Sequence, residues 1–266
     1  MPRFTMVKSG KSSATVFQRK NWESPTRRMA FCGGGLVRSD SSNARMSLSQ
    51  RFVFAGFARS YYLKAFFATP VLPTLLHLHG AILTLWFVLF FVQVRLVAVR
   101  RVDLHRLLGT FGAVVAVLVI WVSSAVAIQA TRRDYLADPH SDAALSFLAF
   151  LLLGELLSFA CFVSIGLLLR RRPEIHKRLM LLGSCCLLGA PVIRIPLHFI
   201  QTLNLWGIIG IHDSVPIAFI LYDTIRTRRL HPAFLWGGIT FLLVNPTLMF
   251  VSKTAVWIQF AKWLVL

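Results

Sequence analysis

From residue 74 to residue 252 the chain alternates long apolar runs with short polar connections. A run of about 18 or more apolar residues has the length of a lipid-spanning helix. Six runs meet that length, at roughly 74–95, 107–128, 144–169, 179–200, 204–222 and 234–252. The stretch from His77 to Gly109 holds the unit from which the rest is built. Two histidines, His77 and His79, open an apolar run, a basic turn closes it, and His105 opens the next run. The pattern predicts an all-α fold, a polytopic transmembrane helix bundle with six clear spans over residues 71–252.

The flanks read differently. Residues 1–51 carry ten Lys and Arg against Glu23 and Asp40, are rich in Ser, and contain Gly33, Gly34 and Gly35. No apolar core of 7 to 15 residues follows the positive charges, so a secretory signal is excluded and a disordered tail is expected. Residues 52–70 are aromatic but broken by Arg59 and Lys64, which suits an interfacial or degenerate first helix with Tyr61 and Tyr62 at headgroup level. Residues 253–266 read as an amphipathic segment, with Lys262 and Trp263 suited to an interface.

Composition agrees. The chain is 56% hydrophobic, with 22 Phe, and 15% charged, more apolar than a soluble domain can cover. The net charge of +19 comes from Lys and Arg in short loops, so lipid is the expected partner and nucleic acid is not. Cys32, Cys161, Cys185 and Cys186 have neither metal spacing nor a disulfide framework.

Charge in the connections sets the topology. Three of them carry four, five and three Lys or Arg: Arg95 to Arg106, Arg170 to Arg178 and Arg226 to Arg229. The other side has Arg132 and Arg133, diluted by Asp134, Asp138 and Asp142. The richer side is expected in the cytoplasm of a bacterial inner membrane. Six spans then place the basic tail outside, against the same rule. Either residues 46–68 also cross, or the tail is foreign to the native protein, as a start at Met46 implies.

Two of the basic connections repeat. Arg100-Arg101-Val102-Asp103-Leu104-His105-Arg106 returns as Arg171-Arg172-Pro173-Glu174-Ile175-His176-Lys177, which predicts a repeated helical hairpin. In each copy an acid is placed to cap or charge-stabilise a helix start, with a histidine about one turn further in.

Ionisable groups inside spans are costly and so point to function. Counting ~1.5 Å per residue from the outer helix ends puts His79, Glu155, Arg194, His212 and Asp213 in one layer, ~10–15 Å deep. Asn245, before Pro246, falls at the same depth, and His198 shares a helix face with Arg194. His77 and His79 are two apart, so at most one of them enters the bundle. Glu155 is too short to reach water and must be protonated or paired, with Arg194 the natural partner. Pro191 and Pro196 free carbonyls around Arg194.

The motifs GFARSYYLKAFF, HLHG, DLHRLLG, RRPEIHKRLMLLG and YDTIRTRRLHP, over about residues 54 to 266, resemble a family of uncharacterised bacterial integral membrane proteins. The resemblance implies seven helices, the first of which precedes GFARSYY and is missing here. In style, the histidines near helix ends are also distantly similar to b561-type haem membrane proteins.

The function expected is transport of a small molecule or of protons through a polar site of His79, Glu155, Arg194, His198, His212 and Asp213. One alternative is a b-type haem electron carrier, with His105 and His176 on an inner haem b and His79 with His198 or His212 on an outer one. Another is a membrane zinc hydrolase, with His79, His198, His212 and Asp213 as ligands and Glu155 as general base. A structural or sensing role without cofactor is the last.

Overall fold

The computed structural model describes residues 73–189 and 202–266. Every regular element among them is helical: α1 (Thr74–Ala98), α2 (Val102–Ala137), α3 (Ala143–Leu168), α4 (Pro173–Cys186), α5 (Leu205–Thr227), α6 (Pro232–Val251) and α7 (Ala255–Val265). Five are long and apolar enough to cross a membrane: α1, α2, α3, α6 and the Gly207–Thr227 part of α5. The protein is an all-α integral membrane bundle. Five of the expected spans fall on these five helices. The span expected at 179–200 starts on α4, and its part beyond Gly189 lies outside the described residues, as do the tail 1–51 and the segment 52–70.

α2 is longer than its apolar run. The run covers 107–128, whereas the helix has 36 residues, on the order of 54 Å, against ~30 Å of hydrocarbon. Part of the extension, 129–137, lies beyond the far end of the run; at the near end the helix begins early because the turn before it is very short. The Arg101 amide donates to the Leu96 carbonyl at 2.8 Å and the Arg100 amide to the Val97 carbonyl at 3.1 Å. This pair of bonds is the Schellman closure, so only three residues separate α1 from α2. His105 and Arg106 therefore belong to α2 and not to a loop.

The residue at the left-handed position of that closure is Arg100, with φ 61°. Arg228 closes α5 in the same conformation, with φ 54°. Left-handed backbone costs a side-chain-bearing residue ~1–2 kcal/mol, of which a cation at a helix C-terminus recovers ~0.3–1. Neither α2 nor α4 has a side-chain hydrogen bond capping its start, so the acids of the repeated motif do not act as caps.

Packing follows membrane rules. Trp121, Leu168 and Phe250 are largely exposed and form the lipid-facing surface. α3 and α4 approach closely through Gly166, whose missing Cβ would sit 3.2 Å from the Met180 sulfur, and Gly183, 3.0 Å from Val163. Such small residues let helices in lipid gain dispersion contacts. Trp86 packs edge-on against buried Phe159 at 5.0 Å in the core. α7, expected to be only interfacial, also packs inward. It buries Trp257, Ala261 and Val265, and the Trp257 indole donates to the Leu145 carbonyl at 2.8 Å, while Trp263 stays exposed.

The end of the bundle that carries the basic connections is fastened by Arg178, which is 4% exposed. Its Nε and Nη2 donate to Asp223 Oδ2 of α5 at 3.0 and 2.7 Å. Its Nη1 donates to the carbonyl and to Oε2 of Glu174 at 2.8 and 2.7 Å. The guanidinium also lies 5.4 Å from the centre of the Phe234 ring of α6. One side chain thus joins α4, α5 and α6. Beside it, His231 caps α6 by accepting from the Ala233 amide at 3.1 Å. Burial first, then the charge of Arg178, lowers the His231 pKa and keeps the imidazole in the neutral form that can accept.

Removing one partner of a buried ion pair strands the other, at ~3–5 kcal/mol. Asp223→Ala is expected to lower the thermal unfolding midpoint in detergent more than the paired change Arg178→Met with Asp223→Leu. Equal losses would show that the clamp carries no stranded-charge penalty. Glu174 gives a pH signature. Lys177 and then Arg178, through hydrogen bonds, hold its carboxyl down to about 2 from an ordinary 4.5. A depressed carboxylate stabilises the fold above its unfolded pKa and loses that contribution as pH falls through the folded one. Melting midpoints should therefore fall between about pH 4.5 and 2. Glu174→Gln should flatten that part of the profile, by a modest amount because the carboxylate is solvent-exposed and screened.

Candidate functional site

Asp213, on α5, is 6% exposed and lies within the apolar bundle. A carboxylate there must be neutralised or hydrogen-bonded. Two donors converge on its Oδ1: His212 Nδ1 at 2.9 Å from the same helix and Asn245 Nδ2 at 3.0 Å from α6. The His212 ring is held in turn by Phe241, with centroids 5.9 Å apart. Its Nε2 is buried beside the Cys185 backbone without a hydrogen bond of good geometry.

Glu155 of α3 reaches the same place. Its carboxyl packs against Gly189 so closely that a Cβ on that glycine would collide with it, and His212 Cδ2 would lie 3.5 Å from the same Cβ. Only a glycine lets the carboxyl and the imidazole share that space. Asn245 Oδ1 lies near Gly154, 3.6 Å from where a Cβ would be. The cluster thus joins α3, α5, α6 and Gly189, which follows the turn at the end of α4.

Each contributing helix is irregular at this level. Phe150–Leu157 is a π-helical segment of 8 residues inside α3, and Glu155 sits within it. Such wide turns are rare and concentrate at functional sites. Pro216 lies inside α5 and has no amide to give the His212 carbonyl four residues earlier. Pro246 interrupts α6 next to Asn245. Backbone acceptors released at membrane depth persist where they line a cavity or meet polar groups. A cleft bounded by Gly154, Ser158, Phe241 and Asn245 has a volume of about 10 Å³, room for about one water.

Below the cluster the bundle is apolar. Phe162 and Phe241 stack at 5.9 Å with an interplanar angle of 9°, and Leu182 fills the space left by Gly237. Further in lies the Arg178–Asp223 clamp.

Of the residues expected to form the site, Glu155, His212 and Asp213 meet, and Asn245 with them. His79 is placed between α1 and α2, its Nδ1 3.3 Å from Ser123 Oγ, and His77 is exposed. Arg194 and His198 lie outside the described residues. Among the described residues no three His, Cys, Asp or Glu side chains stand close enough to hold a metal ion. Of the expected zinc set of His79, His198, His212 and Asp213, His198 lies outside the described residues, and His79 is placed at Ser123 while His212 and Asp213 are bonded to each other.

At the end that carries the basic connections the two copies of the repeated motif come together. The His105 and His176 rings lie 6.4 Å apart at an interplanar angle of 80°. His176 Nδ1 is 2.7 Å from the Gly166 carbonyl, which fixes it as the donor and leaves Nε2 outward. His105 Nδ1 and Gln93 Oε1 are buried there without partners.

Sequence reasoning missed two features. Arg178 was counted with the basic connections and Asp223 was not singled out, although the i, i+4 spacing of Glu174 and Arg178 is a legible sign that the two pair. The π turn carries no residue signature. Comparison of the chain with family models, with curated proteins and with solved structures finds no match.

Proposed function

We propose that this protein is a proton-coupled membrane carrier in which Glu155, His212, Asp213 and Asn245 form the titrating centre. The observation that carries the reading is Asp213, buried at membrane depth with His212 and Asn245 converging on one oxygen. Asp213 and His212 share a hydrogen bond along which a proton can pass, and Asn245 holds the acceptor oxygen in place. Glu155 lies against the same imidazole and offers a second protonatable oxygen. The clamp of Arg178 closes α4, α5 and α6 at the opposite end, as a carrier closed on one side requires. With the basic connections in the cytoplasm of a bacterial inner membrane, the titrating centre faces the outer leaflet.

Reconstituted protein under an imposed pH gradient should carry dye-reported proton flux when mixtures of small organic anions or cations are supplied. Asp213→Asn and Glu155→Gln should each reduce that flux by at least about tenfold, with folding checked by the melting midpoint. Wild-type flux in both variants would remove the proposal.

One observation favours a second reading, a b-type haem protein. His105 and His176 come from different helices and face each other, and His176 is oriented by the Gly166 carbonyl as a metal-binding imidazole commonly is. Haem held there would supply one-electron transfer. The purified protein would then show a Soret band that disappears in His176→Ala. A protein without that band would remove the haem reading.

A further inference from the structure

We propose that the basic end of the bundle is a binding surface for anionic phospholipid headgroups, anchored by Arg100 and Arg228. Each of the three connections at this end presents at least three exposed cations, among them Arg100, Arg171 and Arg228. The three connections are held together as one surface. His105 of α2 meets His176 of α4, and Arg178 of α4 binds Asp223 of α5. The acids at this end, Asp103, Glu174 and Asp223, are fewer than its exposed arginines, and Glu174 and Asp223 are engaged by Lys177 and Arg178.

The opposite end differs. There Arg133 is bound to Asp134 at 2.9 Å, and Lys262 lies 3.4 Å from Asp142. Two of the cations at that end are thus matched by acids of the protein, whereas the basic end carries more exposed arginines than acids.

The backbone adds an independent observation. The positive-φ residues other than glycine, among the described residues, are Arg100 and Arg228. Both close a helix at this end, at the position where glycine is the relaxed choice. Placing orientation rules require positive charge near these loops, but they do not require it on the two residues whose backbone resists it. Arginine at these positions projects a planar fork of donors past the helix end, toward the level of the phosphates. An anionic lipid is the partner that supplies a phosphate at that depth.

The test uses the full chain purified in detergent, with phosphatidylglycerol and phosphatidylcholine as the lipids and native mass spectrometry as the readout. Phosphatidylglycerol should be retained in preference to phosphatidylcholine. Arg100→Gly and Arg228→Gly should each weaken phosphatidylglycerol binding by about fivefold. The same variants should raise the melting midpoint, since glycine relieves the left-handed backbone. Arg100→Lys and Arg228→Lys, which keep the charge, should retain more binding than the glycine variants. Arg132→Gln with Arg133→Gln, at the other end, should leave binding unchanged. Equal retention of the two lipids would overturn the proposal. So would unchanged affinity in both glycine variants, or competition by inorganic phosphate as effective as that of the lipid.

Discussion

A charge in hydrocarbon has no water to turn to, and the architecture of this bundle is arranged around the places where that problem is solved. Arg178 is the clearest. It is almost fully buried, and its donors are spent on a carboxylate of α5, on the carboxylate and carbonyl of Glu174, and on the face of an α6 ring. None of these partners lies in the turns that join the helices, so the arginine fixes their relative positions directly. Such an arrangement costs desolvation and recovers it through geometry. Its net stability is modest, but the register it imposes on three helices is strict, because any slip leaves the guanidinium unsatisfied.

Two of those helices, α5 and α6, run on to the polar cluster, while α4 ends at Cys186, short of Gly189. From Asp213 to Asp223 and from Phe234 to Asn245 are ten and eleven residues, or ~15–16 Å along a helix. The two polar layers are thus spaced evenly on both. The stacked Phe162 and Phe241, with Leu182 pressed against Gly237, fill the gap. A continuous polar path would conduct ions through the protein. Two satisfied polar layers separated by packed apolar side chains do not. Irregular backbone accompanies the layer of Asp213, where Glu155 lies in a π turn and Pro216 and Pro246 break the hydrogen-bond ladder.

The sequence carries the helices and much of the cluster, and the reasons differ. Helix existence is legible because hydrocarbon demands long apolar runs, and those runs contain few exceptions. The exceptions are equally legible, so Glu155, His212, Asp213 and Asn245 could be placed at one depth by counting residues. Depth is one coordinate, however, and rotation about the helix is another. His79 shares the depth but turns toward Ser123 on the α1–α2 side. The start of α2 one turn before His105 is as the motif predicts, but its closure was not legible, since Arg100 accepts a left-handed backbone that residue preference assigns to glycine. The π turn at Glu155 was invisible, because a change from i→i−4 to wider bonding needs no particular residue.

The repeated motif shows how similar sequences take on different work within one bundle. Both copies begin a helix with a basic pair, an acid and a histidine, and the two histidines meet. The copies diverge one residue after that. The first continues with Leu107, which is 69% exposed toward lipid, while the second continues with Arg178, which is 4% exposed. Glu174 in the second copy can therefore bind Arg178 four residues on, whereas Asp103 in the first has Leu107 at the equivalent position. The single exchange of leucine for arginine turns a lipid-facing helix start into the fastening point of three helices. It also obliges α5 to bring Asp223 to the same depth, since the arginine would otherwise be stranded. The acid among the arginines of the α5 terminus is thus a consequence of the second copy's place in the interior, and no equivalent is needed opposite the first.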